Sequence, residues 1–226
     1  MAINKFNLAP DERAKRKLLI TVAEWRNDTD PSQYVKLESK PSDWDTDCTA
    51  YYTASSATPP VYSHVSASTA WSTAVDYYMG VDRTIMGKRT PDSSIEYNVD
   101  SETSTDILGY NYTDVNKTQP QQSFDPHLIL GGDKFSEKLN DIRKRNALTE
   151  LSGFTLYIIT AFVSVTVGAG TQYETERHTG CTILYDSIGG EDNVNFPLTA
   201  YFSNNITNGT VDKLSDDFTF TPYVSI

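Results

Sequence analysis

Asn195-Phe-Pro-Leu-Thr-Ala-Tyr-Phe-Ser-Asn-Asn-Ile-Thr-Asn-Gly-Thr-Val-Asp212 reads as an alternating strand over 196–202, a turn over 203–209 and the start of a return strand. Alternation puts every second side chain on one face of a sheet, and Asn and Gly tolerate the positive φ that a turn requires. Working outward, the same composition of Val, Ile, Thr, Tyr and Phe predicts strands at 154–167, 179–185 and 218–224, and upstream at 16–25, 94–99 and 103–112. Ile188-Gly-Gly is a further turn. The run 154–171 is uncharged, but its threonines, serine and glycines make it a strand and turn rather than a membrane span.

One segment breaks the pattern. Phe135, Leu139 and Ile142 are spaced by four and three, with charges between them, which predicts an amphipathic helix over 133–148. Its last turn holds Arg143, Lys144 and Arg145, cations placed against the negative end of the helix dipole. Upstream, Asp125-Pro126 is itself a helix-start signature, broken by Gly131-Gly132. Strands on both sides of one helix predict a β-rich α+β chain: a β-sandwich or half-open barrel with the helix on its flank.

The organisation follows from where this pattern fails. Residues 1–15 are polar and contain Pro10, the character of an N-terminal arm. The domain proper, 16–226, is interrupted at about 26–87 by a stretch with four prolines and eight scattered aromatics, Tyr34, Trp44, Tyr51, Tyr52, Tyr62, Trp71, Tyr77 and Tyr78. A structureless loop of that length is implausible, so the aromatics must pack, either within an inserted lobe or, as an extended hairpin, on a neighbouring subunit.

A formal charge of −11 argues against a protein that grips nucleic acid, because that requires cations on phosphates. The charge is uneven. Residues 92–125 hold seven acidic side chains against Lys117, and 186–226 hold six against Lys213, whereas 133–145 hold five basic against three acidic. Residues 1–17 lack an apolar run with a cleavage site, so the expectation is a protein kept inside the cell that makes it.

Candidate chemistry is sparse. Asp43, Asp45 and Asp47 alternate as in a calcium loop, but Cys48 and Ala54 stand where such a loop needs Gly and Glu. His64, His127 and His178 form no metal-ligand pair and read as ordinary surface histidines, His127 as neighbour to a helix cap. No Gly-x-Ser-x-Gly elbow and no phosphate-cradling glycine loop is present, and Cys48 and Cys181 lack paired spacing and read as reduced, passive thiols. No catalytic, cofactor or metal site is expected, which leaves a structural or binding role.

Three pieces, taken in order, resemble the major tail tube protein of tailed, siphophage-like bacteriophages: Thr105-Asp-Ile-Leu-Gly-Tyr-Asn-Tyr-Thr-Asp-Val-Asn-Lys-Thr-Gln-Pro-Gln-Gln-Ser-Phe-Asp-Pro126, Gly131-Gly132 with Lys138-Leu-Asn-Asp-Ile-Arg143, and 205–212. The resemblance implies a virion subunit, made in the host bacterial cytoplasm, whose strands join copy to copy into stacked, usually hexameric rings around a β-barrel lumen. It further implies passage of genomic DNA without specific binding, no membrane, and tape measure, terminator and distal tail proteins as partners within or at the ends of the tube. The competing expectation is a carbohydrate-binding or adhesion β-sandwich, with Trp and Tyr of 26–87 as sugar platforms.

Overall fold

The computed structural model describes residues 2–4, 19–27, 33–73, 75–87, 94–105, 107–125, 127, 132–167, 170–189 and 195–223. The described residues are β-rich, with antiparallel strand pairing and, among them, one α-helix, α1 (Lys134–Arg145). The chain divides into two compact units, 1–23 with 84–226, and 24–83. Pro126 and Gly131 fall outside the described residues, as do 1 and 5–15 of the arm, 16–18 of the first expected strand, and 190–194.

In the larger unit the strand order is β2 (Leu19–Arg26), β9 (Phe154–Val167), β10 (Gly170–Tyr185), β11 (Leu198–Tyr201), β8 (Asn111–Phe124) and β7 (Ile95–Thr105). From the arm, β1 (Ala2–Asn4) pairs with the end of β9, Ala2 opposite Thr166. β12 (Ile206–Val211) lies along β10, and β13 (Phe220–Pro222) along β12. Leu156, Tyr157, Ile158 and Ile159 are all buried, so β9 is covered on both faces, which is why its sequence is a near-continuous apolar run. Val22, Tyr157, Ile159, Val211 and Phe218 form one core, with Phe218 edge-on to Tyr157 at 4.9 Å.

The closing segment departs from the expected hairpin. β11 pairs with Thr182–Tyr185 and β12 with Tyr173–His178, both antiparallel to β10 and in one direction along it, with a one-residue slip between them. Residues 202–205 are therefore a bulge and not a reversal. Polar groups hold it: the Thr179 N–H donates to Asn205 O (3.1 Å), Ser203 Oγ to Thr179 O (2.6 Å) and Asn205 Nδ2 to Thr179 Oγ1 (2.7 Å). The true reversal comes after β12, where Asp212 Oδ1 accepts from the Thr219 N–H at 2.7 Å.

Gly209 is then a strand residue selected for close approach. A Cβ there would lie 2.4 Å from Thr221 O and 2.7 Å from Phe220 Cζ. Gly209→Ala forces β13 outward, and as an overpacking change it is expected to cost about 1–3 kcal/mol. A lowered midpoint in urea unfolding checks this; an unchanged midpoint would contradict the β12–β13 register.

Two other boundaries move. The strands expected at 94–99 and 103–112 are one long hairpin, β7 and β8, paired from Ile95–Gln122 to Thr105–Asn111. Residues 107–110 form its tip, where Gly109 adopts φ 83°. The strand expected at 179–185 begins at Gly170.

The smaller unit, 24–83, carries β3 (Tyr34–Lys36), β4 (Tyr51–Ala54), β5 (Tyr62–His64) and most of β6 (Tyr77–Ile85), in the order β5-β4-β6 with β3 also on β6. One sheet face packs on Trp44, Cys48, Val65 and Trp71, so these aromatics form the unit's own core rather than waiting on a neighbour. Trp44 meets Tyr77 at 4.6 Å and Trp71 at 5.1 Å, and its indole N–H donates to Thr69 O at 3.1 Å.

Candidate assembly surface

The carboxylates that alternate like a calcium loop are each committed to local structure. Asp43 accepts from Tyr51 Oη (2.6 Å) and Arg26 Nη1 (2.9 Å), Asp45 from Lys40 Nζ (2.7 Å), and Asp47 from the Thr49 hydroxyl (2.6 Å). Burial alone would raise the Asp43 carboxyl, but its bonds to Tyr51 and Arg26 hold it below the usual range. Among the described residues, no three His, Cys, Asp or Glu side chains come together as a metal-holding group. Cys48 and Cys181 are both buried free thiols, and burial raises the Cys181 thiol.

The histidines are not all at the surface. His64 is exposed, with Nδ1 2.6 Å from Thr49 O. His178 is buried because its ring fills the bulge, Nδ1 2.8 Å from Ser203 O and the ring edge-on to Phe202 at 5.2 Å. His127 is buried edge-on to Phe135, its Nε2 3.7 Å from Asp133 Oδ2. Ser136 Oγ donates to the same carboxylate, so Asp133 stands between the hydroxyl and the imidazole and no nucleophile meets a base.

Asp133 is the N-cap of α1, accepting from the Phe135 N–H at 3.3 Å, and Asn146 ends the helix in the left-handed conformation. Burial would raise the Asp133 carboxyl; the His127 ring and Ser136 hydroxyl outweigh it and hold it below the usual carboxylate range. Phe135, Leu139 and Ile142 are fully buried, with Phe135 edge-on to Phe154 at 5.9 Å. The other face of α1 is basic and exposed at Arg143, Lys144 and Arg145.

A 3₁₀ turn, Leu148–Ser152, follows α1 and is tied back to it by Glu150, which accepts from Lys138 Nζ (2.7 Å) and Arg145 Nη1 (2.8 Å). The Arg145 and Lys138 bonds hold the Glu150 carboxyl at about 2. Its folded value lies below the ordinary one, so the contribution is whole above the ordinary carboxylate range and is lost as pH falls toward about 2. Because the group is a third exposed, its stabilisation at neutral pH is about 0.5–1 kcal/mol. The melting-temperature gap between wild type and Glu150→Gln is expected to close as pH falls from about 5 to about 2; a constant gap would assign Glu150 a packing role only.

The β7–β8 hairpin is the other unusual surface. β7 ends the strand order, with no strand on its outer edge among the described residues. Its tip presents Ile107 (101% exposed), Leu108 (74%) and Tyr110 (64%), an apolar triplet where turns ordinarily place polar residues. Residues 95–124 carry five acidic side chains against Lys117, and Glu96 and Glu102 are exposed. The acidity is legible in the sequence, but the triplet reads as strand interior there; Gly109, followed by Asn111, is the signal for a turn.

In the smaller unit the face opposite the Trp44 core carries Tyr34, Tyr52, Tyr62, Tyr78 and His64. Tyr34 and Tyr62 stack edge to face at 3.8 Å, and Tyr62 meets Tyr78 at 5.3 Å, so the rings are engaged with one another. Trp44 is buried, and Trp71, half-buried, stacks on Tyr77 at 4.8 Å. No helix among the described residues is long and apolar enough to cross a membrane. No family model, no curated protein and no solved structure matches this chain.

Proposed function

We propose that the chain is a structural subunit that assembles with copies of itself into stacked rings, forming a tube of the kind made by phage tail tube proteins. The observation that carries this reading is the β7–β8 hairpin: an eleven-residue strand whose outer edge carries no strand among the described residues, and an apolar tip. Open edges and exposed apolar tips are aggregation hazards that a closed ring removes by pairing copy to copy. In this reading the chain acts as scaffold, and Asp43, Asp133 and His178 serve a turn, the helix cap and the bulge.

With a charge of −11, a lumen lined by such a chain repels phosphate and lets duplex DNA slide without being held. Tape measure, terminator and distal tail proteins are the partners this reading implies, inside the tube or at its ends. Mass photometry over a concentration series tests the reading. Discrete ring-sized species that grow with concentration are expected, and a strict monomer at the highest concentration would overturn it.

A further inference from the structure

We infer that the bulge at 202–205 is a pH-sensitive lock, closed while the His178 ring carries both of its protons and loosened when one is lost. The lock is a property of the single subunit and does not depend on self-assembly.

Both ladders along β10 slip at the same level. On one edge Thr179 pairs with Thr155 and Cys181 with Phe154, which leaves Gly180, at φ 74°, as the extra residue. On the other edge the pairing passes from His178–Ile206 to Thr182–Tyr201, so residues 179–181 stand against the longer stretch 202–205. Bulges bend the strands that hold them, so β10 turns a corner here, and β11 carries β8 and β7 beyond it. With both ladders interrupted, the corner depends on the contacts that Thr179, Ser203, Asn205 and His178 make with one another.

His178 is 2% exposed. Its Nδ1 lies 2.8 Å from Ser203 O, and its Nε2, buried without a hydrogen bond, lies 3.4 Å from Glu176 Oε2. Both oxygens are acceptors. A neutral imidazole has one N–H and one lone pair, so either tautomer turns a lone pair toward an oxygen, and only the imidazolium can donate to both. Among the described residues, the rest of its surroundings offer no second charge: Leu156 stands opposite on β9 and Ile206 on β12, and the Phe202 ring is edge-on. The Cys181 thiol donates to His178 O at 3.4 Å, and burial favours its protonated form. On β10 the next carboxylate along this face is Glu174, two residues from Glu176. The His178 ring holds the Glu176 carboxyl below the usual carboxylate range, and such coupling is reciprocal, so an ionised Glu176 favours the charged ring.

The contribution of Glu176 is present above the ordinary carboxylate range and is lost as pH falls through its lowered value. The contribution of the ring is present while both N–H groups are held and is lost as pH rises through the range of histidine titration, about 5 to about 8. The lock is therefore closed in mildly acidic solution and loosens toward alkaline pH, where the half-exposed Glu176 side chain turns to water.

Site-resolved amide exchange of the full chain at about pH 5.5 and about pH 8.5, corrected for intrinsic exchange rates, tests this. The Thr179 N–H, bonded to Asn205 O, and the Ser203 N–H, bonded to Cys181 Sγ, should lose about fivefold in protection between the two, while amides of Leu156–Ile159 keep theirs. Glu176→Gln should remove this dependence, because an amide can face either a donor or a lone pair. His178→Gln should remove it too; should that buried change prevent folding, Glu176→Gln decides alone. Nitrogen NMR of the imidazoles should show both nitrogens of His178 protonated at about pH 5.5. Equal protection at both pH values, a dependence that survives Glu176→Gln, or a singly protonated ring in the acidic sample would overturn the lock.

Discussion

Leu139→Ala is expected to destabilise the subunit by about 2–5 kcal/mol, the range for deleting a buried leucine side chain where the surroundings relax only in part. Leu139 is fully buried between Phe135 and Ile142 on the apolar face of α1, and Phe135 in turn packs on Phe154 at the start of β9. The cavity would open under the helix whose other side bears the basic turn, so assembly should fail together with stability. Urea unfolding of the isolated subunit measures it. An unchanged midpoint with lost assembly would mean that this face belongs to an interface between copies instead.

Trp44→Ala should have an effect of comparable or greater size, about 3–5 kcal/mol, but confined to 24–83. Trp44 is the centre of that unit's core, touching Tyr51, Trp71 and Tyr77 at ring-centroid distances of 5.3, 5.1 and 4.6 Å. Its loss removes edge-to-face ring contacts and leaves Thr69 O without its donor. Amide exchange should lose protection across β4 and β6 while α1 keeps its own. Equal loss in α1 would show that the two units unfold as one.

The helix and β9 were legible because one property dominated each. Apolar spacing, an aspartate cap and a basic last turn agree on α1, and β-branched residues fill β9. β10 was half hidden: Thr171-Gln-Tyr-Glu-Thr-Glu-Arg177 is too polar to read as a central strand, yet β9 and β12 pair with it on both edges and bury Thr175. The asparagines and glycine of 203–209 have two readings locally, turn or bulge, and only pairing along β10 chooses between them. His127 and His178 read as surface residues in the sequence because nothing adjacent reveals Phe135 or the bulge at Ser203 as their cover.

The assembly surface was legible only as charge. Five acids in 95–124 mark an acidic segment, but the hairpin geometry that lifts Ile107 and Leu108 to an exposed tip depends on strand pairing from Ile95–Gln122 to Thr105–Asn111. Long-range contacts of this kind leave no local periodicity.

The central claim is self-assembly into a tube, and negative-stain electron microscopy of the purified full chain across a concentration series tests it most directly. Rings of uniform diameter with a central channel, stacking into tubes as concentration rises, are the expected result. Compact single particles at every concentration, with no rings and no tubes, would contradict it.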